Sequence, residues 1–311
     1  MNRHRPDSSW TTDQRRAFLG GLRDVVGSEP GARADDLLAL AAERLAVQAD
    51  CADPAAWSVL AGDPWAEHAL VALIVAGCVR EEPLDSALLD RNDAYGRAAG
   101  VDGSWVRVMR LAVRGQRRRV TMALTRVTPD AKYMLSQSWR LGGVREVLNG
   151  VLAASGRSFR DEERGWFFKR LGLLPDGTVG RTFWANMTER GIALPGEPGG
   201  LPEAGVHHDL LHTLTGYDTD GAGESLLAGF YAGFGYEGWP AWVLVALVTF
   251  ELGLDVGPSF VPPRTGQFDV RGVLAAFERA RGAAFHPMDP GWDYRELMPL
   301  PLTEARARLA I

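Results

Sequence analysis

EHALVALIVAGCV, residues 67–79, decides the fold class. Apolar residues cover most faces of this segment at helical spacing, the pattern of a helix buried on all sides. The segments around it keep the same period. DDLLALAAERLAVQA (35–49) carries an apolar stripe at Leu37, Leu38, Ala41, Leu45 and Ala46. Thr11-x-x-Gln14 has the form of a capping box ahead of a helical run to Val26. LDSALLDRNDAYGRAAG (84–100) ends on Gly100, where a helix C-cap is expected. Further on, helix-like segments at 179–190, 206–215, 222–236, 239–253 and 268–281 are punctuated by two Pro/Gly-rich loops, LPGEPGGLPEAG (194–205) and GPSFVPPRTG (257–266). No segment alternates at period two between hairpin turns. The expected fold is all-α: a multi-helix, bundle-like core with an additional N-terminal helical module.

Composition narrows the class. The 311 residues are 46% hydrophobic and 23% charged, which suits a soluble globular protein and excludes collagen-like or wholly disordered chains. A net charge of −5 argues against nucleic acid as the main partner. Two cysteines, Cys51 and Cys78, are too few for a disulfide framework or a Cys-rich zinc site, so a reducing cytoplasm is expected. The most apolar run, WVLVALVTF (242–250), is too short to span a bilayer, and the polar N-terminus has no signal-peptide pattern. The expectation is a cytoplasmic protein, peripheral at the inner face of the membrane at most.

Charge divides the chain. Residues 1–150 hold 20 Arg/Lys and 19 Asp/Glu, whereas residues 151–311 hold 14 and 20. Arg107, Arg110, Arg114 and Arg117 recur at three- and four-residue steps and are expected on one helical face. That face reads either as a solvated surface balancing the acidic half or as a contact for anionic lipid or an acidic partner.

Three of the six histidines fall within His207–His212. On a helix, His208 and His212 share a face with Cβ atoms about 5–6 Å apart, close enough to hold one ion. Asp209 can turn toward the same site or orient a ligand. His207 is offset by about 100° and is expected to face elsewhere. After Gly216 a polar loop lets the chain reverse, and Glu224 opens the next apolar segment. Two imidazoles with one or two carboxylates suit Zn2+. A chance His-x-x-x-His pair on the surface or in the core is the competing reading.

The pattern His208-Asp209-x-x-His212, eleven residues, then Glu224 resembles the zinc motif of the coenzyme Q biosynthesis protein 4 family. LPDGTVGRTFWANMTERGI (174–192) is similar to that family's Leu-Pro-x-Gly-Thr-Leu-Gly segment, LTGYDTDGAGE (214–224) to the loop between its metal-bearing helices, and WDYRELMPLPLTEARARLAI (292–311) to its C-terminus. The resemblance covers about 141–311 and leaves 1–140 as an N-terminal helical module of unknown role. It implies a zinc site at His208, Asp209, His212 and Glu224, with Asp209 also catalytic, beside a pocket for isoprenoid lipid. It also implies work on a prenylated quinone precursor or related aromatic acid, by ring decarboxylation or oxidative decarboxylation, within a membrane-associated biosynthetic complex. The family's Arg/Glu-rich turn before its His-Asp is reduced here to Glu203 in LPEAGVH (201–207), so an anion-holding role is missing or passes to Arg181 or Arg190. The apolar segments 222–236 and 239–253 could line the prenyl slot or be plain core.

Other readings compete. The chain could be a non-catalytic isoprenoid-lipid-binding scaffold with a structural metal, organising a biosynthetic complex. A His-Asp phosphohydrolase would need further ligands, and His68 and His286 sit in no supporting motif. A HExxH protease is disfavoured because Asp209 stands where the general-base Glu belongs.

Overall fold

The computed structural model describes residues 10–28, 31–48, 53–127, 130–153, 157–200, 202–235, 240–256, 261–289 and 291–311. The described residues form helices and no strand; Thr178–Pro301 and Leu252–Thr265 are isolated bridges. The all-α expectation holds.

Two compact units emerge: Met1–Thr128 with Asp220–Arg281, and Pro129–Thr219 with Gly282–Ile311. The sequence-based division into 1–140 and 141–311 has a single cut, whereas the chain leaves the first unit and returns to it. The reason lies in the apolar segments after residue 220, which bury their sides among N-terminal helices.

In the first unit, α1 (Thr12–Val26) begins with the expected capping box: Gln14 N–H donates to Thr11 Oγ1 at 3.2 Å and Thr11 N–H to Gln14 Oε1 at 2.9 Å. Next come α2 (Ala32–Leu45) and a 3-10 turn (Pro54–Leu60). The decisive segment forms α3 (Ala66–Val79), where 11 of 14 residues are buried, so it has no solvent face. It packs against α1, α2, α4 (Ser86–Ala98) and α12 (Pro240–Ala246). Trp57 is fully buried and donates its indole N–H to Ala17 O at 2.8 Å. That approach requires Gly21, since a Cβ there would lie 2.7 Å from the indole nitrogen. α11 (Gly221–Gly233) precedes α12, which runs into a π-helical turn at Leu247–Glu251. Buried Glu251 takes both arms of the Arg33 guanidinium, at 2.9 and 2.6 Å, and this pairing raises the Arg33 pKa. α13 (Val270–Gly282) completes the unit; a Cβ on Gly229 of α11 would lie 2.5 Å from Val273 O. Cys51 lies outside the described residues, and burial pushes the Cys78 thiol well up.

The expected arginine face is corrected. Helix α5 (Ser104–Val113) ends at Arg114, Gly115 takes a positive φ of 66°, and α6 (Arg117–Val127) starts anew. The four arginines therefore span two helices and the turn between them. Arg110 pairs with Asp90 at 2.6 Å and Arg117 pairs with Asp255.

In the second unit, α7 (Asp130–Ala153) is broken at Gly142–Gly143, where Gly143 has φ of 60°. It is followed by α8 (Glu162–Arg170), a 3-10 turn (Leu171–Leu173), α9 (Val179–Glu189) and α10 (Val206–Thr215). A 3-10 turn at Tyr294–Leu297 and α14 (Leu302–Leu309) close the unit. Its interior is ionic at one point. Arg164 Nη1 donates to both oxygens of Glu146 at 2.9 Å, and its Nε to Glu203 Oε2 at 2.8 Å. Glu203 also accepts from Tyr294 Oη at 2.9 Å and pairs with Arg295. Arg164, Glu146 and Glu203 are almost fully shielded, so the Arg164 guanidinium is set between two carboxylates away from water, and half-exposed Arg295 supplies the second cation to Glu203.

Candidate metal centre

Helix α10 carries the histidines, and its local sequence fixes it on three sides. Leu210, Leu211 and Leu214 have no exposure and anchor the inner face. Asn186 of α9 donates to Thr213 Oγ1 at 3.1 Å, and Arg306 of α14 donates to Leu214 O at 2.7 Å. The helix ends at Gly216, whose φ of 80° favours glycine and whose N–H reaches His212 O at 2.9 Å.

His208 and His212 lie one turn apart with ring centroids 5.0 Å from each other in edge-to-face geometry. His212 is buried, and its Nδ1 meets the Tyr217 carbonyl oxygen at 3.1 Å. A carbonyl only accepts, so Nδ1 carries the hydrogen and Nε2 keeps the lone pair, the tautomer a metal needs. Asp209 lies against His208, with Oδ1 3.6 Å from Nδ1. That is beyond hydrogen-bond length. Glu224 sits in the first turn of α11, where Asp220 caps the helix by accepting from Gly223 N–H at 2.8 Å.

Of the four expected ligands, His208, His212 and Glu224 form a donor group that could hold a metal ion, each offering one ligand atom. Asp209 is not one of the three. The donor set of two imidazoles and a carboxylate fits a borderline cation such as Zn2+.

His207 faces elsewhere, as expected. It is buried, its Nδ1 contacts Ala204 O at 2.8 Å, and burial pushes its pKa down to about 4. With Glu203, Trp292, Tyr294 and Arg295 it lines a pocket of about 340 Å3 in the second unit.

Arg181 and Arg190 are engaged away from Glu203. Arg181 pairs with Asp176 at 3.0 Å and lies over the Trp184 ring, and Arg190 donates to Asn186 O at 3.2 Å. The arginines on Glu203 are Arg164 and Arg295, which sequence reasoning missed. They stand 39 and 92 residues away, so no local spacing marks them.

A second, apolar pocket of about 240 Å3 lies wholly in the first unit. Gly229 and Ala232 of α11 and Pro240 and Val243 of α12 form one part of its lining, and Trp10, Phe18, Leu37 and Trp65 contribute to the rest. The apolar segments after residue 220 thus act both as core and as pocket wall. His68 is among the residues lining this pocket, and both its ring nitrogens are buried without a hydrogen-bond partner. Burial, and then the nearby Arg281 charge, lowers its pKa to about 4.

No family model matches the chain, and no curated protein matches it.

Proposed function

We propose that this chain is a zinc protein of the coenzyme Q biosynthesis protein 4 type, acting on a prenylated quinone precursor or a related aromatic acid. The observation that carries the reading is the His208–His212 pair, set one turn apart with the His212 tautomer fixed by Tyr217 O. Glu224, twelve residues on in the chain, is the proposed third ligand. Zinc held by this set would supply a Lewis acid for a phenol or carboxylate oxygen on an aromatic ring. Three separated motifs in family order, at 174–192, 208–224 and 292–311, support the same reading. The apolar pocket of α11 and α12 supplies walls of the kind a prenyl tail needs.

The reaction is loss of the ring carboxylate as CO2. The ring–carboxyl bond breaks, its electron pair stays on the ring carbon, and a proton replaces the lost group, so no oxidant is consumed. Oxidation at that carbon would need O2 or a redox partner, because zinc has no redox chemistry. Asp209 acts as a positioning residue that orients the His208 imidazole. The chain works as a peripheral protein at the inner face of the membrane, alongside enzymes of the same biosynthesis.

Conversion of a carboxylated, prenylated phenol tests this. Wild-type protein should release CO2, and Asp209→Asn should abolish turnover while keeping its thermal melt within a few degrees. Absence of wild-type turnover, with a melt that falls sharply on metal loss, would instead identify a lipid-binding scaffold with structural zinc.

A further inference from the structure

Helix α7 is built inside out. Its inward residues are polar: Ser138, Glu146 and Asn149 are buried, Glu146 against Arg164 and Asn149 Oδ1 accepting from Phe159 N–H at 2.5 Å. Its outward residues are apolar: Leu135, Trp139, Val144, Leu148 and Val151 are each more than half exposed. Leu135 and Trp139 are one turn apart before the Gly142–Gly143 break, and Val144, Leu148 and Val151 follow at i, i+4, i+7 after it. Each arm of α7 thus carries exposed apolar residues one turn apart, and exposed apolar surface of this kind marks an interaction site.

Charge decides what covers it. Between residues 131 and 160 the only acid is Glu146, which is buried, while Arg140, Arg145 and Arg157 are exposed. Trp and aliphatic residues interspersed with exposed Arg140 and Arg145 suit a helix lying in an anionic bilayer interface, its cations reaching the headgroups. Pairing with a second copy would set arginine against arginine. Crossing is not in question, because no described helix is long and apolar enough to span a membrane.

We propose that the outward face of α7 docks on an anionic lipid surface. The proposal rests on the peripheral-membrane part of the functional reading and not on the metal chemistry.

The test is co-sedimentation of the full chain with vesicles of phosphatidylcholine, with and without phosphatidylglycerol. Wild type should bind the anionic vesicles, and Trp139→Glu/Leu148→Glu should weaken binding by at least about tenfold with an unchanged thermal melt. Should that variant fail to fold, Arg140→Glu/Arg145→Glu reads the same face and should weaken binding about fivefold or more per arginine. Equal vesicle binding by wild type and both variants would overturn the α7 assignment and leave membrane contact standing. No binding by wild type would overturn both. Wild-type dimerisation lost in Trp139→Glu/Leu148→Glu, without vesicle binding, would replace the lipid surface by a second copy of the chain.

Discussion

Helices α3 and α7 invert one another. In α3 nearly every side chain is apolar and buried, and the helix has no face left to contact solvent. In α7 the buried side carries Ser138, Glu146 and Asn149, and the open side carries Trp139, Val144 and Leu148. The first helix is held by removal of apolar area from water, the second by an ion pair and hydrogen bonds at its inner face. Two helices of one chain can therefore be stabilised by opposite means, and substitutions should tell them apart.

The largest effect is expected at the polar interior of the second unit. Arg164→Ala leaves Glu146 and Glu203 shielded with half their counter-charge, which should cost about 3–5 kcal/mol in chemical denaturation. A loss below about 1 kcal/mol would mean that α7 is not held by these charges. Next is Leu73→Ala in α3, a fully buried site, where a loss of about 3 kcal/mol is expected. The same deletion in α7, Leu148→Ala, should change stability by no more than about 0.5 kcal/mol, since Leu148 is already half exposed. Similar costs at the two sites would erase the contrast.

His68 sharpens the comparison through pH. Its pKa in the fold, about 4, lies below the ordinary 6.5 because α3 and its surroundings exclude water. The unfolded chain takes up the proton first, so this stability is present above pH 6.5 and is lost as pH falls toward 4. Between pH 7.5 and pH 5 the loss should be about 2 kcal/mol, given that one pKa unit corresponds to about 1.4 kcal/mol. Denaturation of wild type beside His68→Leu at both values isolates it. Parallel losses in the two proteins would show that His68 is not the titrating group.

Particular residues explain what the sequence made legible. α3 could be read because burial on all sides needs no partner information: an apolar run of helical length has nowhere else to go. The Thr11–Gln14 box, Gly100 beyond α4 and the α10 boundaries were legible because caps are local. The arginine face was misread because Gly115, which ends α5, is one residue inside an otherwise regular charge period. The division at 140/141 followed the edge of a family resemblance, whereas compactness follows where α11 and α12 bury their apolar sides. Which face of α7 turns inward was hidden, since it depends on Arg164, 18 residues from Glu146. At the candidate site the histidine spacing and Glu224 were legible. The Tyr217 carbonyl that sets the His212 tautomer was not, because backbone acceptors leave no mark in sequence.

The proposed function depends on a metal ion held by His208, His212 and Glu224. Elemental analysis of purified wild-type protein beside His212→Ala tests it most directly. About one zinc per chain is expected in wild type and little in the variant. Equal metal content in the two proteins, or none in either after purification in zinc-containing buffer, would contradict it.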